Sequence, residues 1–177
     1  AGGALSVIPA DTANFQIDLD KFAHSINEKT KAVIVNSPNN PSGVVYSLET
    51  ITKMCSIMEE RSSEFGHPIY LISDEPYREL VYGDVEVPFL LNHYDNTFVC
   101  YSYSKSLSLP GERIGYVIVS NRMKDGDDIY AAVCGAGRAL GYVCAPSLFQ
   151  HLIARCVGRT SDISVYKKNR DILYSGL

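Results

Sequence analysis

One lysine stands among hydroxyl side chains near the middle of this 177-residue chain. Lys105 follows the apolar run 97–101 and the serines Ser102 and Ser104, and Arg113 comes eight residues later. A lysine amine can form an imine with a carbonyl compound, while hydroxyls and a guanidinium can hold a phosphate. The segment is therefore typical of a site for a phosphorylated, carbonyl-bearing cofactor. Taken alone, it also fits a solvated lysine in a polar loop.

Two further polar clusters follow predicted strands. Residues 37–43 (SPNNPSG) follow the β-branched run AVIVN, and residues 73–77 (SDEPY) follow the apolar run IYLI. Ligands of open α/β sheets bind beyond the carboxyl ends of the strands. Each cluster alone has residue types that are common in turns, but three clusters at successive strand ends favour a shared binding site.

The residue types in these clusters suit a cofactor with a pyridine ring. A carboxylate beside the ring nitrogen secures its proton, and Asp74 directly follows a buried strand. Asn40 and Tyr77 are candidates for contact with the ring oxygen, and Ser102 and Arg113 for contact with the phosphate. Structural alternatives remain at three positions. Asp74 could cap a turn, Tyr77 could belong to the core, and Arg113 could form an ion pair with its neighbour Glu112.

Strand and helix patterns alternate along the chain. Strands are predicted at 5–8, 32–36, 69–72, 98–101 and 114–119, and helices at 19–27, from 48 to the Gly66 stop, 121–133, 146–157 and 161–177. Asp18 and Ser47 are predicted N-caps. The alternation predicts an α/β fold with helices on both faces of a mostly parallel sheet. The glycine-rich stretch 135–141 lacks dinucleotide-binding spacing and is interpreted as a loop or a helix kink.

Composition narrows the classes of function. The chain is 46% hydrophobic and 20% charged with a net charge of −4, and no basic cluster predicts nucleic-acid binding. It has no long apolar run of membrane-spanning length and no signal-peptide pattern. Five cysteines without metal-ligand spacing predict reduced thiols, a cytoplasmic protein and no metal site.

The three clusters together resemble the class I/II aminotransferases, which are pyridoxal-phosphate enzymes of the aspartate aminotransferase fold. The motifs are NSPNNPSG, SDEPY and SYSK followed by PGERIG, in the same order and at similar spacing. The resemblance implies a three-layer α/β/α fold and a cis peptide bond between Asn40 and Pro41. It also implies that residues 1–177 are a single domain, the carboxyl-terminal part of the family's large domain, without its small domain. The residues expected to bind the cofactor are Asn40, Asp74, Tyr77, Ser102, Ser104, Lys105 and Arg113.

The resemblance further implies a reaction. Lys105 would be the Schiff-base lysine and general base in transfer of an amino group between an amino acid and a 2-oxo acid. The parent protein would be a homodimer, and the isolated segment would lack parts of the site. One alternative is a C–S lyase or synthase that shares the fold and cofactor. Another is a non-catalytic, effector-binding module of a transcription regulator.

Overall fold

A four-stranded sheet forms the centre of the computed structural model, which describes residues 2–9 and 11–177. The strands are β1 (Ala32–Asn36), β2 (Tyr70–Asp74), β3 (Thr97–Ser102) and β4 (Gly115–Val119), in that spatial order. β1, β2 and β3 run parallel, and β4 pairs with β3 in the antiparallel direction. The predicted α/β fold with a mostly parallel sheet is therefore confirmed.

Six α-helices accompany the sheet in the described residues, and local sequence signals mark the ends of the first two. They are α1 (Leu19–Ser25), α2 (Leu48–Phe65), the single turn α3 (Tyr103–Ser106), α4 (Gly126–Ala139), α5 (Ser147–Cys156) and α6 (Ser164–Gly176). Asp18 caps α1 by accepting from the Lys21 N–H at 3.0 Å, and Ser47 caps α2 by accepting from the Thr50 N–H at 3.1 Å. Gly66 ends α2 in the left-handed conformation at φ 70°. Within the described part of the chain, no helix combines the length and apolar character needed to cross a bilayer.

One predicted strand is absent, and one helix extends further than predicted. Residues 5–8 form no strand, because no neighbouring strand pairs with them in the described sheet, and Leu5 and Val7 are exposed. Of the two interpretations of 135–141, the loop is wrong, and the residues as far as Ala139 are helical, because α4 continues through them. This helix begins at Gly126 rather than at the predicted residue 121. Alanines between its glycines favour the helix, and the left-handed turn comes afterwards at Gly141, where φ is 86°.

The two faces of the sheet differ in burial. Leu71, Ser73 and Glu75 are buried on the face that packs against α1 and α2, where Met54 lies in the core at 0% exposure. The alternate residues of β2 are only half-buried on the opposite face, and Ile34 of β1 is 63% exposed there. We call this second face the open face. It is the face on which Asp74 lies.

Candidate functional site

Three side chains form a row across the open face at the carboxyl ends of the parallel strands. The strand register aligns Asn36 of β1 with Asp74 of β2, and Asp74 with Cys100 of β3. The Asn36 Nδ2 donates to the Asp74 carbonyl at 3.0 Å and to its carboxylate Oδ2 at 3.1 Å. The Asn36 Oδ1 accepts from the Asn40 N–H at 2.9 Å. Asn36 therefore joins the first two polar clusters, a role that the sequence prediction missed although this polar residue ends the AVIVN strand.

The Asp74 carboxylate lies in an environment that disfavours its charge. Burial raises the pKa of Asp74, the Asn36 hydrogen bond opposes that shift, and the nearby charge of Glu75 adds to it. Among residues 2–9 and 11–177, no salt bridge reaches this carboxylate and no N–H of the following turn donates to it. The turn-capping alternative is therefore not observed. A protonated ring nitrogen would provide the missing positive partner, so the site fits the expected cofactor at this position.

Three of the predicted residues meet at one cleft of about 530 Å³. The Asn40 Nδ2 donates to the Tyr77 hydroxyl at 3.1 Å, and the Lys105 Nζ lies 6.0 Å from the centre of the Tyr77 ring. Tyr77 is half-buried rather than part of the core. The peptide bond between Asn40 and Pro41 is cis, as the resemblance implies.

The cleft has a second wall that the sequence did not predict. Leu80, Tyr82 and Val85 line it from the segment after Tyr77, and Arg170 lines it from α6. The Arg170 guanidinium carbon lies 4.7 Å from the centre of the Tyr82 ring. No local signal marks these residues, because chain segments almost ninety positions apart meet only in the fold.

The single turn α3 presents Lys105. The Ser102 Oγ accepts from the Ser104 N–H at 3.1 Å and donates to the Ser104 Oγ at 2.7 Å, which caps the turn. The Tyr101 hydroxyl donates to the buried Ser106 Oγ at 2.7 Å and anchors the end of the turn. Lys105 itself is exposed and reaches the cleft.

The Arg113 side chain bonds to its own loop rather than to Ser102 or Ser104. It has a positive φ of 52°, and its Nη1 donates to the Pro110 carbonyl at 2.9 Å. In the part of the chain that the structure describes, it makes no hydrogen bond to Ser102 or Ser104 and no salt bridge to Glu112. The phosphate contact of Arg113 stays a prediction, and its ion-pair alternative is not observed.

Comparisons with known proteins agree on a family. The profile described as aminotransferase class I and II matches residues 1–175. A probable aspartate aminotransferase of Methanocaldococcus jannaschii is 32% identical over 184 residues, covering 100% of this chain and 46% of the relative. The crystal structure of an amino transferase from Eubacterium rectale matches at a TM-score of 0.93 and 63% identity, over 96% of this chain and 42% of that chain. N-succinyldiaminopimelate aminotransferase from Mycobacterium tuberculosis matches at a TM-score of 0.75 and 26% identity, over 96% and 43% of the two chains.

The matches extend over nearly all of this chain but over less than half of each of these relatives. They include the strands and turns that bring Asn40, Tyr77 and Lys105 together, because these elements lie within the matched residues. The chain belongs to the class I and II aminotransferase family.

Proposed function

We propose that the polypeptide carrying this chain is a pyridoxal-phosphate enzyme that transfers an amino group between an amino acid and a 2-oxo acid. The observation that carries the proposal is the meeting of Asn40, Tyr77 and Lys105 at one cleft, with Asp74 joined to Asn40 through Asn36. In this proposal residues 1–177 form one domain, the carboxyl-terminal part of the family's large domain. The resemblance supports a homodimer, and the cysteine usage supports a cytoplasmic protein.

The cofactor, when bound, would supply an aldehyde for imine chemistry and a ring that accepts electrons from the substrate carbon. Asp74 would hold a proton on the ring nitrogen, which in turn would favour the charged carboxylate. Asn40 and Tyr77 already form a hydrogen-bonded pair and would orient the ring through its oxygen. Ser102, Ser104 and Arg113 are the proposed phosphate contacts.

Lys105 has two proposed tasks. Its Nζ would hold the cofactor through the aldehyde, and its free amine would carry the proton of the substrate α-carbon. The position of Lys105 at the cleft supports both tasks, because the cleft gives access to an incoming amine. The Tyr77 ring centre lies 6.0 Å from the Nζ, at the limit of a cation–π contact.

Reductive labelling tests the cofactor assignment. The longest available polypeptide that contains this chain is mixed with pyridoxal phosphate, reduced with borohydride, digested and mapped by mass spectrometry. We expect one stoichiometric label, on Lys105, and its loss in Lys105→Arg. Lys124→Arg is a matched control, since that lysine is exposed and does not line the cleft. A label elsewhere, or none, would contradict the proposal.

Product analysis tests the reaction class. A transaminase converts an amino acid to its 2-oxo acid and leaves an equivalent amount of aminated cofactor when no 2-oxo acid is added. Release of pyruvate with ammonia would instead assign the polypeptide to the lyases of the same fold. Cofactor labelling without any turnover over a panel of amino acids would favour the effector-binding module.

A further inference from the structure

A buried ion pair lies directly behind the candidate site. Glu75 follows Asp74 in the chain but lies on the core side of the sheet, where it is only 1% exposed. Its Oε1 accepts from the Ser73 hydroxyl at 2.6 Å, and its Oε2 accepts from the Arg78 Nε at 2.6 Å. The Arg78 Nη2 lies 2.6 Å from the same Oε2. Burial of an unpaired carboxylate is costly, and the Arg78 guanidinium offsets that cost here.

Arg78 also holds the far end of the cleft wall. Its Nη1 donates to the Val87 carbonyl and its Nη2 to the Pro88 carbonyl, both at 3.1 Å. Its guanidinium carbon lies 5.1 Å from the centre of the Phe89 ring. One planar group therefore ties the end of β2 to residues 87–89. The chain between these two points contains Tyr77 and the wall residues Leu80, Tyr82 and Val85.

The pair also influences the charge at Asp74. After burial and the Asn36 hydrogen bond, the charge of Glu75 is the next influence on the pKa of Asp74, and it raises that pKa. On the β1 side, Asp74 faces the uncharged Asn36 amide, and on the β3 side it aligns with Cys100. Burial raises the pKa of the Cys100 thiol, and the charges of Asp74 and Glu75 raise it further. Arg78 is thus the cation that offsets the second carboxylate beside Asp74.

We propose that Glu75 and Arg78 act as a positioning pair for the cofactor site, through two effects. The Arg78 guanidinium fixes the chain segment that carries Tyr77, and it offsets the Glu75 charge next to Asp74. The inference rests on the proposed function. Neither residue is among those that line the cleft in the described chain, so the pair acts through Tyr77 and Asp74.

The test separates the two effects with four variants of the longest polypeptide that contains this chain. Arg78→Met removes both the positive charge and the planar guanidinium that binds the Val87 and Pro88 carbonyls, whereas Arg78→Lys keeps only the charge. Glu75→Gln removes the negative charge, and Glu75→Gln/Arg78→Met removes both charges. The matched control is Arg61→Met, because Arg61 and Glu64 form an ion pair at the same three-residue spacing on the surface of α2.

Three measurements apply to each variant: the dissociation constant of pyridoxal phosphate, the pH midpoint of the absorbance change of the bound cofactor, and chymotryptic cleavage of the cofactor-free protein after Tyr82. Arg78→Met should weaken cofactor binding at least tenfold and accelerate the cleavage. It should also raise the pH midpoint by roughly half a unit or more, because an uncompensated Glu75 charge favours protonated groups nearby.

The double variant should return the pH midpoint to that of the wild type while the cleavage stays fast. Arg78→Lys should likewise keep the wild-type pH midpoint while cleavage is fast, because it retains the charge and loses the planar guanidinium. If Arg78→Met does not fold, the double variant and Arg78→Lys are sufficient to test the inference. A pH midpoint and cleavage rate unchanged from Arg61→Met in all four variants would overturn the inference alone. A wild-type protein that takes up no cofactor on Lys105 would overturn the proposed function, and the inference with it.

Discussion

The approach of β4 to β3 at Gly115 leaves no room for a side chain. A Cβ atom built there would lie 2.3 Å from the Tyr101 carbonyl oxygen and 3.2 Å from the Ser102 Cα. Gly115→Ala therefore forces the two strands apart by roughly 1 Å before ordinary contact is restored. Ser102 caps the turn that presents Lys105, so the displacement occurs at the base of the candidate site.

The expected cost follows from this geometry. Overpacking of a rigid backbone contact costs about 1–3 kcal/mol, and a weakened hydrogen bond of the ladder adds about 1 kcal/mol. We expect Gly115→Ala to lower the free energy of unfolding by about 2–4 kcal/mol. With a urea dependence of about 2 kcal/mol per molar, the unfolding midpoint should fall by roughly 1–2 M.

Urea unfolding followed by circular dichroism measures this change. Gly111→Ala is the matched control, because a Cβ at Gly111 meets nothing within 4 Å and its φ is not positive. The control should stay within about 0.5 kcal/mol of the wild type. Equal midpoints for Gly115→Ala and Gly111→Ala would refute the reasoning. Borohydride labelling of Lys105 should also fall in Gly115→Ala and not in the control.

Three further predictions concern the core, one carboxylate and the thiols. Met54→Ala should lower the free energy of unfolding by about 2–5 kcal/mol in the same urea assay, because Met54 is 0% exposed. Burial raises the pKa of Asp74, so the cofactor-free folded state binds more protons than the unfolded state above pH 3.8, and stability falls as pH rises through the folded pKa. Asp74→Asn should remove this fall in urea midpoints measured across the acidic range, and an unchanged pH dependence would contradict the argument. Iodoacetamide should modify the exposed Cys134 and Cys144 well before Cys55, whose pKa burial raises to about 11, as peptide mapping would show.

Features that depend on neighbouring residues were predictable from the sequence. Asp18, Ser47 and Gly66 act within one helical turn, so the start of α1 and both ends of α2 were predicted correctly. The strands at 32–36 and 69–72 were recognised by their β-branched and apolar side chains. Residues 5–8 have similar composition, but a strand also needs a partner, and its presence depends on distant parts of the fold.

The candidate site was predictable to the extent that strand ends converge. Lys105, Asn40 and Tyr77 meet because parallel strands end at the same edge of the sheet. The link through Asn36 depends on strand register, which the sequence alone does not define. Arg170 lies beyond prediction for a similar reason, since it reaches the cleft from α6. The orientation of Arg113 depends on a left-handed backbone conformation that its residue type does not reveal.

The alternation along β2 has a consequence for the natural variation that this segment can accept. Residues facing the core and residues facing the site occupy adjacent positions, with Glu75 in one set and Asp74 in the other. Substitutions can alter one set without disturbing the other. A single-residue insertion or deletion between Tyr70 and Asp74 would exchange the faces of every residue beyond it. It would turn the Glu75 carboxylate outward and drive Asp74 among apolar side chains, so functional descendants of this sequence should conserve the length of β2 more strictly than its composition.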